Sequence, residues 1–314
     1  MSGAMYQSHF GLRETPFGIT PNPAFFYAGN TRGDMLDAMI YAVASGEGMI
    51  KVTGEVGAGK TMLCRMLESR LPPHIDAIYL VNPNLNPLEV QYAIAAELGL
   101  ETAGLRADQV QRLLHADLIA RHSAGRQVVL LVEEAQAMPL DTLEAIRLLT
   151  NLETARSKLL QIVLFGQPEL DAHLNLPCMR QLNERITHSF RVPAMDAALI
   201  GEFLDFRLRA AGHVGPAIFS PAAARLIAER SEGIVRRINI LADKALLAAY
   251  ADDAAVVGAR HARMAIAESP FQRRRGLAGR SVGHVPARAL AIGCLLGLFI
   301  GAICWAILAV APDL

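Results

Sequence analysis

The four cysteines of this 314-residue chain, Cys64, Cys178, Cys294 and Cys304, include no C-x-x-C pair, and its nine histidines include no H-x-x-x-H pattern. These absences exclude a zinc module or a disulfide framework as the organising element. Unpaired thiols suit a reducing compartment. Net charge is lacking too: 30 basic residues balance 30 acidic ones, so the molecule as a whole has no general attraction for nucleic acid. Residues 1–17 contain no basic segment followed by an apolar one, which predicts no cleavable leader.

What is present is led by Gly54-Glu55-Val56-Gly57-Ala58-Gly59-Lys60-Thr61. The run satisfies G-x-x-x-x-G-K-[ST], preceded by the β-prone Met49–Thr53 and followed by a helical pattern from Met62. Glycines let the backbone wrap a polyphosphate with its N–H groups inward, and the helix presents its positive end to the same anion. Gly54 to Met62 are therefore the expected nucleotide contacts, with Lys60 on the β- and γ-phosphates and the Thr61 hydroxyl on Mg²⁺.

Residues 1–30 are aromatic and proline-rich, with Pro16, Pro21, Pro23, Phe25, Phe26 and Tyr27, and predict an extended strap rather than a helix. Two readings stay open: part of the strap closes over adenine, or its aromatics pin an N-terminal arm to the core. Beyond the phosphate loop, the runs 77–81, 127–132, 160–165 and, more weakly, 186–192 read as strands, alternating with helical patterns at 87–98, 108–121 and 141–151. Continuous apolar strands separated by helices predict a parallel sheet covered on both faces. After Pro193 the pattern is wholly helical, which predicts a second, smaller domain. The strand at 128–132 ends in Glu133-Glu134. Beside a phosphate loop, Glu133 would orient Mg²⁺ and Glu134 would orient or deprotonate the attacking water.

Taken together, Gly54–Thr61, Leu130–Gln136, Asn82–Leu85, Arg147–Glu153, Phe165–Leu170 and Gly233–Leu241 resemble the AAA+ ATPases of the general secretion pathway A family, closest to the MshM type of pilus biogenesis, over residues 5–268. The resemblance implies an α/β P-loop NTPase (AAA+) fold, a parallel sheet flanked by helices at 31–193, then an all-helical lid at 194–268. It implies ATP and Mg²⁺ as cofactors, Gln167 as the sensor of the γ-phosphate, and Arg236 as the lid arginine, with Arg237 as its substitute. It further implies a homo-oligomer in which Arg185, or Arg180, reaches a neighbour's site. Glu133 stands where the family usually has Asp. The extra methylene moves the carboxylate by ~1.5 Å, and slow hydrolysis is expected because Mg²⁺ tolerates little distortion. Val235 replaces a customary proline before Arg236, with little consequence expected.

Residues 289–311 carry no charged side chain, and about twenty such residues span a bilayer as a helix. The preceding linker, 269–288, holds Arg273, Arg274, Arg275, Arg280 and Arg288, which predicts attraction to anionic lipid. By the positive-inside rule the ATPase then lies in the cytoplasm, on a single-pass C-terminal anchor in the bacterial inner membrane. Gly293, Gly297 and Gly301 share a face that could pack against another transmembrane helix or merely fill the apolar run. With the chain ending at Leu314, direct peptidoglycan binding is not expected. The resemblance implies an inner-membrane pilus or secretion assembly protein as partner. The alternative is an ATP-dependent binding switch like the transposition regulators, acting on DNA or protein with weak hydrolysis; nucleic acid is the less expected partner, since residues 31–268 show no DNA-reading segment.

Overall fold

The structure is a computed structural model that describes residues 6–46, 48–154 and 157–271. The expected span at 289–311, and the linker from 272 onward, lie outside the described residues. Among the described residues no helix is long and apolar enough to cross a membrane.

Five strands form one parallel sheet: β1 (Met49–Thr53), β2 (Ile75–Leu80), β3 (Gln127–Val132), β4 (Leu160–Gly166) and β5 (Ile186–Arg191), in the order β2-β3-β4-β1-β5. The period-two geometry of a strand explains why β3 and β4 carry unbroken apolar runs. Val128, Leu130, Val132, Ile162 and Leu164 enter the core on one face, while Val129, Leu131, Val163 and Phe165 enter the core on the other. Strand β5, at the edge, alternates half-buried and exposed residues, which is why its pattern is weaker in the sequence.

Helices α1 (Arg32–Ala44) and α2 (Lys60–Arg70) cover one face, through Leu36, Met39, Leu63 and Leu67. On the other face lie α3 (Pro87–Glu97), α4 (Ala107–Ser123), α5 (Leu140–Leu149), α6 (Glu169–Leu174) and the short α7 (Arg180–Asn183). Helix α3 starts where the sequence places it because Asn86 accepts from the N–H groups of Leu88 and Glu89, both at 3.0 Å, and Glu89 returns to the N–H of Asn86 at 2.8 Å.

A third core follows Pro193. Helices α8 (Ile200–Ala210), α9 (Pro221–Ser231), α10 (Val235–Ala251) and α11 (Ala259–Ala267) bury Phe203, Leu204, Ile227, Leu241 and Leu246 together. The strap belongs to this core: Tyr6, Phe10, Phe17, Phe25 and Tyr27 are all buried in it. Tyr27 sits edge-on to Phe203 with ring centroids 5.6 Å apart. Arg207 of α8 donates to the carbonyls of Pro16, at 2.6 Å, and Gly18, at 3.4 Å, and its guanidinium lies 4.6 Å over the Phe25 ring. The aromatics thus anchor the arm, as one of the two readings expects, and the core they anchor it to is that of the helical segment.

Candidate nucleotide-binding site

In a parallel sheet, residues that follow neighbouring strands collect at one edge. Strand β1 lies between β4 and β5, with Thr53 in register with Gly166, while Val132 of β3 is in register with Leu164 of β4. The phosphate loop after β1, Glu133-Glu134 after β3 and Gln167 after β4 therefore meet at the carboxyl ends of the strands. A cleft of about 610 Å³ opens there, lined by Gly57, Gly59, Lys60, Thr61, Met62, Glu134, Gln167 and Arg236. Strap residues Gly18 to Pro21 and Phe25 to Tyr27 line the same cleft, so the strap both anchors and walls.

Lys60 is 7% exposed and donates from Nζ to the carbonyls of Gly54, at 2.7 Å, and Glu55, at 3.1 Å. Burial holds its ammonium below the ordinary lysine range, against the opposing pull of Glu134 and Glu55. A desolvated cation satisfied only by carbonyls is poised to exchange them for phosphate oxygens. Burial pushes the Glu134 carboxyl up, but the amides of Gln136 and Gln167, then the charges of Lys60 and Arg236, outweigh it and hold Glu134 below its usual range.

Glycine is required at two places. Gly57 has φ +80°, and a Cβ there would lie 2.6 Å from the Cβ of Arg236. Gly233 has φ +72°, and a Cβ there would lie 2.3 Å from the carbonyl oxygen of Met195. The second glycine lets the chain turn into α10. The first lets α10 touch the phosphate loop, where the Arg236 N–H donates to Gly57 O at 3.0 Å. Arg236 then faces the cleft, whereas Arg237 pairs with Glu232 at 2.5 Å and lies 5.6 Å over Phe271.

Thr61, the second residue of α2, brings its hydroxyl to the cleft, a hard oxygen donor of the kind Mg²⁺ takes. Glu133 follows β3 at the same edge of the sheet but is not among the residues that line the cleft. Among the described residues no group of three or more His, Cys, Asp or Glu side chains forms a metal cage.

Arg185 does not join this cluster. It precedes β5 at the opposite edge of the sheet and donates to Thr150 Oγ1 and Asn151 Oδ1, each at 2.7 Å. Arg180 is exposed and paired with Glu184 at 2.8 Å. Arg32, Arg207 and Asn239 line the cleft and are each no more than 6% exposed, yet sequence reasoning singled out none of them. Gln136, which bridges Glu134 and Gln167, was missed as well. The partners of Arg32 and Arg207, and the Gln167 partner of Gln136, lie tens to hundreds of positions away, where no local pattern can point to them.

A family model described as an AAA domain matches residues 43–174. General secretion pathway protein A of Aeromonas hydrophila is 42% identical over 250 residues, 79% of this chain and 45% of that protein. The chain thus spans less than half the length of this relative. Among solved structures, the Aeropyrum pernix ORC2 protein in ADPNP-ADP complexes matches with a TM-score of 0.60 at 16% identity, covering 79% of this chain and 72% of that one. Cdc6p from Pyrobaculum aerophilum matches with a TM-score of 0.60 at 17% identity, covering 78% and 70%. At those identities the likeness is one of fold. The sheet with its phosphate loop, the domain match and the 42% identity agree: this chain belongs to the general secretion pathway A family of AAA+ ATPases.

Proposed function

We propose that the chain binds Mg²⁺-ATP in this cleft and hydrolyses it as a homo-oligomer, to work a membrane assembly of the type IV pilus or type II secretion kind. The observation that carries the reading is the convergence of Lys60, Thr61, Glu134, Gln167 and Arg236 on one cleft, closed by the contact between Arg236 and Gly57.

In this reading the loop from Gly54 to Met62 holds the phosphates, and Lys60 leaves its two carbonyls for the β- and γ-oxygens. Thr61 and Glu133 would hold Mg²⁺, which when bound would neutralise phosphate charge. Glu134 takes a proton from a water whose oxygen attacks the γ-phosphorus. The bond to the bridging oxygen breaks, and ADP leaves with that oxygen and its electron pair. Gln167 and Arg236 donate to the transferring group. Arg185, at the opposite edge of the sheet, cannot serve its own site and acts on a neighbour's. Such a finger accelerates hydrolysis by ~10³-fold or more. Because nucleotide moves an equilibrium only by binding one packing better than another, the lid contact at Gly57 is the element that hydrolysis releases.

The anchor in this reading is the charge-free run 289–311, with the arginine-rich linker against anionic lipid and the ATPase on the cytoplasmic side of the inner membrane. Support for the secretion or pilus assignment is the identity to general secretion pathway protein A. The test is ATP binding and turnover by the full chain in mild detergent. Lys60→Ala is expected to lose binding, and Glu134→Gln to bind ATP and turn it over only at a small residual rate. Wild-type chain that does not bind ATP would sink the proposal.

A further inference from the structure

Gln136 uses both ends of its side-chain amide at the catalytic edge. Its Nε2 donates to Glu134 Oε2 at 2.7 Å, and its Oε1 accepts from the backbone N–H of Gln167 at 2.9 Å. The side chain of Gln167 donates to the same Glu134 oxygen at 3.1 Å. Three residues from two strand ends thus close a ring of hydrogen bonds. Closing it takes a side chain that donates at one end and accepts at the other, which among neutral residues of this length is glutamine.

Two details give the ring a direction. Both amides fall on Oε2, so Oε1 has no protein donor among the described residues and is left to accept from water. Glu134 also has φ 52° and ψ 37°, the left-handed region that residues with a Cβ seldom occupy. Local backbone preference therefore does not aim this side chain; the amides do. At Gly166, the residue before Gln167, a Cβ would lie 3.3 Å from Gln136 Oε1 and 2.6 Å from Leu170 Cδ2, so the loop packs directly on the ring.

We propose that Gln136 is a positioning residue for hydrolysis: it holds one oxygen of Glu134 so that the other faces the attacking water, and it ties that orientation to the loop that bears Gln167. This rests on the hydrolytic reading of the cleft. A displacement of Gln167 on arrival of a γ-phosphate passes to Glu134 through its own amide and that of Gln136 rather than through the β3–β4 register. Binding of nucleotide needs none of this, because the loop from Gly54 to Thr61 and Arg236 lie outside the ring.

The experiment uses the full chain with Mg²⁺-ATP. Gln136→Met keeps the length of the side chain and removes both ends of the amide; Gln136→Glu keeps an acceptor for the Gln167 N–H but sets a carboxylate against Glu134. Each is expected to lower kcat by roughly 10²-fold, the usual cost of a misplaced catalytic group. KM and the ATP dissociation constant are expected to stay within about twofold of wild type, the signature of an interaction that serves the chemical step alone. Adding Gln136→Met to Glu134→Gln should slow turnover no further, because residues that act as a unit are not additive.

Wild-type kcat in Gln136→Met, a raised KM at constant kcat, or a full additional loss in the double variant would each overturn the proposal and leave the ATPase reading standing. If both single variants lost ATP binding, Gln136 would be a folding residue and the proposal would fail. A wild-type chain that binds ATP and never turns it over would remove the step Gln136 serves, and both readings would fall.

Discussion

The backbone N–H of Arg236 donates to the carbonyl of Gly57 at 3.0 Å, so the first turn of α10 rests on the phosphate loop itself. The position of α10 and the conformation of the loop are coupled at this contact. A Cβ on Gly57 would stand 2.6 Å from the Arg236 Cβ, at a φ of +80°. Gly57→Ala is expected to push α10 off the loop and to strain the loop by about 1–3 kcal/mol. The check is the ATP dissociation constant by titration calorimetry. It should rise roughly fivefold or more if that strain falls on the bound form.

Lys60 supplies a second expectation, with opposite signs for the free and the nucleotide-loaded chain. In the free chain its ammonium is buried and bonded only to carbonyls. Lys60→Met removes a desolvated charge, so the melting temperature of the free protein should hold or rise. Wild type in ATP at a hundred times its dissociation constant should gain about 2.7 kcal/mol of stability. The variant should gain nothing. Paired thermal melts with and without nucleotide decide both halves.

Much of this was legible in the residues, for reasons that differ from element to element. The phosphate loop is contiguous, and β3 and β4 are buried on both faces, so their apolar runs are unbroken. The N-terminal arm was half legible: its aromatics announced burial, but that they join Phe203 and Ile227 rather than the sheet depends on contacts about 175 positions apart. Gln136 lay in plain view two residues after Glu134, yet its value comes from the N–H of Gln167, which only the β3–β4 pairing brings near. Arg207 was hidden for a related reason. A buried arginine that binds carbonyls of Pro16 and Gly18 has no acidic partner to mark it in the sequence.

A third expectation concerns pH. Asp76, at the second position of β2, pairs with Arg126 and with Arg121, the latter at 3.1 Å. The hydrogen bond from Arg126 is the largest influence on its carboxyl and, with Arg121, outweighs burial and holds the group below the usual carboxylate range. A depressed folded value means stability that is present above the unfolded value of about 3.9 and lost as pH falls through the folded one. Asp76→Asn should therefore lower the urea midpoint at pH 6, and the gap to wild type should narrow as pH falls below the unfolded value of about 3.9. A constant gap across that range would mean that packing, not charge, holds the site.

Arg185 gives the most direct test of the proposed shared site, because it lies at the far edge of the sheet from Lys60 and outside the cleft of its own chain. The measurement is ATP turnover per chain as protein concentration is raised, for wild type, for Arg185→Ala, for Lys60→Ala, and for an equal mixture of the two variants. The expected result is specific activity that climbs with concentration in wild type, near-zero activity in each variant alone, and partial recovery in the mixture, where the Lys60→Ala chain lends its Arg185 to an intact site. Specific activity that is flat with concentration and unchanged in Arg185→Ala would contradict an oligomeric ATPase with a shared site.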